Sequence, residues 1–180
     1  MILAKICVLG EVSVGKTSLI RRFVDRSFSD AYLTTVGVKI SRKLVRLEPD
    51  PSGIAADTDL QLVIWDLEGG HNSIDLSSTY LKGARGAIVV GDLTRSSTLD
   101  QLQEHIDRFR YVNPQGRVVI ALNKSDLQTG AAGAIVDRWN DVAGVAKTIC
   151  TSAKTGKGVD ELFTALGMSI LQDTGNAAEH

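Results

Sequence analysis

No stretch of this chain is apolar for long enough to cross a bilayer. The longest runs, such as Ala87–Val90, fall far short of the roughly 20 residues a spanning helix needs. An excess of charge of one sign is also lacking. Twenty Lys and Arg stand against 21 Asp and Glu, for a formal net charge of -1, so nothing electrostatic points to nucleic acid as a partner. Cysteine is scarce. Cys7 and Cys150 both lie in apolar strand-like runs, where a thiol acts as a small hydrophobe, and neither has the CxxC spacing or nearby His of a redox site. Both are expected as buried, reduced thiols. Internal repeats and low-complexity tracts are absent, as is a charged leader with a cleavage site ahead of Ile2–Leu9. These absences lead to the expectation of a soluble cytoplasmic protein. What remains is ordinary: 180 residues, 43% apolar and 23% charged, enough for one domain with a sizeable core.

Short apolar runs alternate with segments of helical period. The strand candidates are Ile2–Leu9, Val38–Leu47, Leu60–Trp65, Gly86–Gly91, Val118–Leu122 and Ala146–Cys150. Helices are expected near Lys16–Asp25, Ser73–Lys82, Thr98–Val112, Ala131–Val142 and Val159–Leu171. Fully apolar strands separated by helices indicate an α/β fold, a parallel sheet covered on both faces. Only the second and third strands lack a helix between them, which predicts an antiparallel hairpin at the sheet edge. Their connector, Glu48–Thr58, carries Pro49, Pro51 and Gly53 and is long for a hairpin loop.

Chemistry begins where the first strand stops. Gly10-Glu11-Val12-Ser13-Val14-Gly15-Lys16-Thr17 fits G-x-x-x-x-G-K-[ST] between a strand and a helix. Successive backbone N–H groups must turn inward to hold an anion, and glycine permits the close approach. A helix opening at Gly15 places its partial positive charge beneath phosphates. Lys16 is expected to reach the β- and γ-phosphates, and the Thr17 hydroxyl to ligate Mg²⁺.

The base is selected elsewhere. Asn123-Lys124-Ser125-Asp126 follows the fifth strand, at the carboxyl end where ligands of open α/β sheets bind. The Asp126 carboxylate can accept from both the ring N–H and the exocyclic amine of guanine. Adenine presents an acceptor and no such amine, so discrimination of roughly 10⁴ follows from the cost of an unpaired buried carboxylate. Lys124 can lay its stem along the base, and Asn123 can tether this loop to the first.

With these two motifs in place, the chain resembles a Ras-superfamily small GTPase of the Rab type from Leu3 to about Leu171. Thr151-Ser152-Ala153-Lys154-Thr155-Gly156 is similar to the family's S-A-K loop, which implies that Ser152, Ala153 and Lys154 line the base. Phe28 to Val38 resembles switch I, with Phe28 beside the base and Thr35 on Mg²⁺ and the γ-phosphate. Trp65-Asp66-Leu67-Glu68-Gly69 stands at the W-D-x-x-G place, implying that Asp66 holds Mg²⁺ through water and Gly69 contacts the γ-phosphate. Tyr80-Leu81-Lys82-Gly83-Ala84 resembles the end of switch II. The resemblance further implies nucleotide contacts from Glu11, Val12, Ser13, Val14, Gly15, Lys16, Thr17 and Ser18, with GTP or GDP and Mg²⁺ as ligands. It implies six strands in the order 2-3-1-4-5-6, strand 2 alone antiparallel, with the G domain over 1–172 and a tail over 173–180. Strands 1 and 6 would then be about 14 Å apart, too far for a Cys7–Cys150 disulfide. Effectors, exchange factors and activating proteins would meet switch I (30–37) and switch II (66–79).

Two departures bear on catalysis. The family's water-orienting Gln is Gly70 here, and its small residue at the second x of the loop is Val12. Slow hydrolysis is expected, with Lys16, Thr35 and Gly69 retained. Glu68, His71 and Asn72 are neighbours able to substitute, His71 foremost, although all three also read as solvated loop residues. His105 and His180 are expected at the surface. The final residues, Gln172 to His180, contain no cysteine for prenylation, and Ile2 excludes N-myristoylation. Membrane recruitment would then require a partner or a missing tail. Leu67-Glu68 and Gly70 suit a prokaryotic or divergent member.

Overall fold

In the computed structural model, residues 1–29, 37–48, 58–67 and 74–176 are described. The chain forms β1 (Ile2–Leu9), α1 (Lys16–Asp25), β2 (Val38–Leu47), β3 (Thr58–Leu67), α2 (Ile74–Leu81) and β4 (Gly86–Asp92). It continues through α3 (Ser96–Asp100), α4 (Leu102–Val112), β5 (Arg117–Asn123), a 3-10 turn (Ser125–Leu127), α5 (Gly133–Asn140), β6 (Val145–Cys150) and α6 (Val159–Asn176). The six strands lie in the order β2-β3-β1-β4-β5-β6. All neighbours are parallel except β2 and β3, which run antiparallel from Val38 opposite Leu67 to Leu47 opposite Thr58.

Strand alternation divides the core into two layers. Ile6, Val8, Ile64, Ile88 and Val119 pack against Leu19 and Phe23 of α1 and Leu162, Phe163 and Leu166 of α6. The Phe23 and Phe163 rings stack with centroids 3.9 Å apart, fixing α1 against α6. On the other face Cys7, Val89, Val118 and Ile120 meet Ile106 and Phe109 of α4 and Trp139 of α5. The edge strand β2 carries Lys39, Arg42, Lys43 and Arg46, charges that oppose pairing with another chain.

The helix expected over Thr98–Val112 begins earlier and is divided at Gln101. The earlier start follows from Asp92, whose Oδ1 accepts the Thr94 N–H at 2.9 Å and turns the chain out of β4. Gln101 keeps right-handed dihedrals (φ −84, ψ −10), so the break is in hydrogen bonding rather than direction. Cys7 is buried as expected, and burial pushes its thiol up to about 12. Cys150 is only part-buried, because it closes the edge strand β6. Both thiols are free. Helix α6 runs on to Asn176, beyond the 172 boundary expected for the tail. Among the described residues no helix is long and apolar enough to cross a membrane.

Candidate functional site

The site is built at the carboxyl ends of β1, β3, β4, β5 and β6. The chain leaves β1 through Gly10 at φ +142, where a Cβ would lie 2.4 Å from the Val90 carbonyl oxygen of β4. It enters α1 through Gly15 at φ +103, where a Cβ would lie 2.3 Å from Asn123 Nδ2. Both positions therefore demand glycine twice over, for space and for backbone conformation. Between them, three successive carbonyls are held from outside. Arg95 Nη2 donates to Val12 O, Lys124 Nζ to Ser13 O and Asn123 Nδ2 to Val14 O, each at 2.9 Å. In a planar trans peptide the next N–H points opposite to the C=O. The N–H groups of Ser13, Val14 and Gly15 are thus turned to the far side of the loop, where together with the start of α1 they form an anion nest.

Lys16 follows, only 7% exposed. Its Nζ donates to Gly10 O and Glu11 O, both at 2.7 Å, so the ammonium lies along the loop it serves. Burial lowers its pKa from 10.5 to about 8, against the opposing pull of Asp66 and Glu11. Asp66, at the end of β3 and 1% exposed, accepts the Thr17 hydroxyl on Oδ2 at 2.5 Å. Its other oxygen, Oδ1, is buried and has no hydrogen-bond partner among the described residues. Burial raises the Asp66 pKa, with Thr17 and Lys16 opposing. An orphaned carboxylate oxygen beside a hydroxyl is a hard oxygen donor set that fits Mg²⁺, which takes one or two protein ligands and completes its shell with water and phosphate. Among the described residues no cluster of three acidic, His or Cys side chains suited to a metal occurs.

The depressed pKa of Lys16 makes a pH prediction. With Lys16 pairing to phosphate as the motif leads one to expect, nucleotide binding above pH about 8 would take up a proton, and affinity would fall with rising pH by up to about tenfold per unit. The same shift acts oppositely on the ligand-free fold. Between about 8 and 10.5 the unfolded chain binds the extra proton, so this group's contribution to stability rises with pH. Calorimetry in two buffers of different ionisation enthalpy, at about pH 7 and about pH 9, is expected to show proton uptake only at the higher value. Equal proton counts at both would contradict it.

Across the sheet, Asn123 is fully buried. Its Oδ1 accepts the Thr151 hydroxyl at 3.2 Å and the Ala153 N–H at 3.3 Å. Asp126 Oδ1 accepts the Ser152 hydroxyl at 2.6 Å. Arg22 of α1 donates to Ala153 O at 2.7 Å and Lys154 O at 2.5 Å, tying the helix under the phosphate loop to the S-A-K loop. Phe28 packs partly buried against the core, with the Arg22 guanidinium 6.0 Å from its ring centre. The structure therefore brings the Gly10–Thr17 loop, Asp66, Asn123–Asp126 and Ser152–Lys154 to one end of the sheet. Thr35, Glu68, Gly69, Gly70, His71, Asn72 and His180 lie outside the described residues.

Four residues escaped the sequence reading. Asp92, Arg95 and Arg22 belong to no motif, yet each holds a loop of the site. His105 was expected at the surface, and that expectation is corrected: its side chain is 14% exposed and Nε2 lies 3.1 Å from Glu11 Oε1. Burial lowers its pKa, with Glu11 opposing. The signal was present, since 105 shares with Leu102, Ile106 and Phe109 the i, i+3, i+4, i+7 face that α4 buries.

A strand, a Gly-rich turn and a helix N-terminus at the carboxyl edge of a parallel sheet define a P-loop nucleotide-binding protein. The model of the Ras family matches residues 5–172. The chain is 32% identical over 179 residues to the GTP-binding protein ypt5 of Schizosaccharomyces pombe, covering 97% of this chain and 81% of that one. It is 30% identical over 175 residues to the Ras-related protein Rab-1C of Dictyostelium discoideum (96% and 83%), and 30% over 171 to the GTP-binding protein YPTM1 of Zea mays (93% and 78%). The chain belongs to the Ras family, as a Rab-like small GTPase.

Proposed function

We propose that this protein holds GTP or GDP with Mg²⁺ and hydrolyses GTP slowly, switching between two states under the control of a partner. The observation that carries the reading is the trio of carbonyls at Val12, Ser13 and Val14, two of them held by Lys124 and Asn123 of the base-reading loop. Phosphate cradle and base reader are one hydrogen-bonded unit. Lys16 binds the β- and γ-phosphates, and the Ser13, Val14 and Gly15 N–H groups surround them. Asp126 accepts from the guanine N–H groups, with Ala153 and Lys154 lining the base. Thr17, Thr35 and, through water, Asp66 would hold the metal, which would supply positive charge to neutralise the phosphates.

In hydrolysis water attacks the γ-phosphorus, the bond to the β–γ bridging oxygen breaks, and GDP and phosphate result. This chemistry depends on positioning and electrostatics. Gly70 offers no side chain to orient the water, and Val12, 42% exposed, puts a branched side chain on the loop where relatives keep a small residue. Turnover is slow for that reason, and residues 30–37 and 66–79 are the surfaces through which effectors, exchange factors or activators act, in the cytoplasm or on a membrane reached through a partner. Val12 and Gly70 also favour a second reading, a module that keeps GTP and recruits an effector without a useful hydrolytic cycle. Following bound GTP with and without cell lysate separates them. Stimulated conversion to GDP supports the switch, and GTP retained in both arms supports the holding module.

A further inference from the structure

The Thr17–Asp66 donor pair is flanked by two cations that belong to none of the motifs. Lys39 of β2 stands directly opposite Asp66 of β3 in the antiparallel register. Residues paired in this way share a face of the sheet, with Cβ atoms roughly 5 Å apart. Arg21 follows Thr17 by four positions on α1, one helical turn along, and so lies on the same side of that helix. Both charges reach the carboxylate. Burial raises the Asp66 pKa, and Thr17, Lys16, Lys39 and Arg21 all oppose it.

We propose that Lys39 and Arg21 weaken the hold of the Thr17–Asp66 pair on Mg²⁺, so that the nucleotide complex gives up its metal more readily than the donor set alone would allow. The proposal rests on the reading of Thr17 and Asp66 as residues that hold the metal. This donor set is sparse. Asp66 is 1% exposed, and its Oδ1 is buried with no hydrogen-bond partner among the described residues. A carboxylate so placed is open to a cation, and its surroundings screen charge poorly. At a given distance a divalent ion is repelled by each neighbouring cation twice as strongly as a monovalent one.

The repulsion tunes the site rather than closing it. Lys39 is exposed and Arg21 part-buried, so water and salt screen both, Lys39 the more. Lys16 differs from both, since its charge is assigned to the phosphates. Neither Lys39 nor Arg21 is assigned to the nucleotide.

The test follows release of a fluorescent GDP analogue at low ionic strength across a range of free Mg²⁺ concentrations. Wild type is compared with Lys39→Gln, Arg21→Gln, the double variant and Lys39→Arg. The Mg²⁺ concentration that half-suppresses release is expected to fall about threefold in each Gln variant and about tenfold in the double variant, with Lys39→Arg close to wild type. Added salt is expected to narrow the gap, which a packing effect would not do. An unchanged or raised midpoint in the double variant, or a gap that salt leaves intact, would overturn the proposal. Release insensitive to Mg²⁺ in wild type and double variant alike would instead overturn the reading of Thr17 and Asp66 beneath it.

Discussion

Lys16→Ala is expected to weaken GDP and GTP binding by a factor on the order of 10³ or more, the cost of leaving buried charge without its partner. The ammonium is 7% exposed and lies against Gly10 O and Glu11 O, beside the peptides whose N–H groups form the nest. In its absence the diphosphate would keep the metal, the backbone dipoles and the start of α1, the last contributing about 1 kcal/mol per charge. Lys16→Met keeps most of the volume and removes the charge, so it is expected to fail as Lys16→Ala does. Titration with a fluorescent GDP analogue measures the loss, and affinity within about tenfold of wild type would remove Lys16 from its assigned place.

The second large effect concerns the base. Asp126→Asn is expected to lower GDP affinity by roughly 10³ to 10⁴, because one of two acceptor oxygens becomes an amine facing the N–H groups of guanine. The Ser152 hydroxyl on Asp126 Oδ1 fixes the carboxylate in place, so the variant cannot easily turn away from the clash. The same change creates a donor that matches the C2 oxygen of xanthine. Xanthosine diphosphate is therefore expected to gain affinity as GDP loses it, inverting the preference. Competition binding with the two diphosphates provides the measurement. A variant that still prefers GDP would show that the base is read elsewhere.

Much of the fold was legible because its signals are local. The run Ile2–Leu9 followed by Gly10, and the apolar stretches Ala87–Val90 in β4 and Val118–Leu122 in β5, state a parallel sheet through burial alone. The missing helix between Val38–Leu47 and β3 stated the antiparallel edge. Helix ends were less legible: α3 is set by the Asx turn at Asp92 and not by an apolar period. Within the site, Lys16, Thr17, Asp66 and Asp126 carry their chemistry in their own side chains, and the motifs expose them. Arg95 and Arg22 act through backbone carbonyls far along the chain, as when Arg22 reaches Ala153, and Asp92 acts by anchoring Arg95 and Lys124. Spacing cannot reveal such bonds, because they exist only once the sheet order has brought the loops together. His105 differs, since its place on the buried stripe of α4 was present in the sequence and was outweighed by the polar character of its neighbours.

The central proposal is that the protein holds GTP or GDP and hydrolyses GTP slowly. On that reading Lys16, Asp66 and Asp126 would support binding, whereas Val12 and Gly70 would withhold the space and the side chain that hydrolysis uses. The direct measurement is single-turnover hydrolysis of GTP by the purified protein with Mg²⁺ and no partner. Relatives with the water-orienting Gln reach only about 10⁻⁴ s⁻¹ unaided, so a rate at or below that order is predicted. A rate above roughly 10⁻² s⁻¹ would match a G protein that carries its catalytic arginine in cis and would contradict the account.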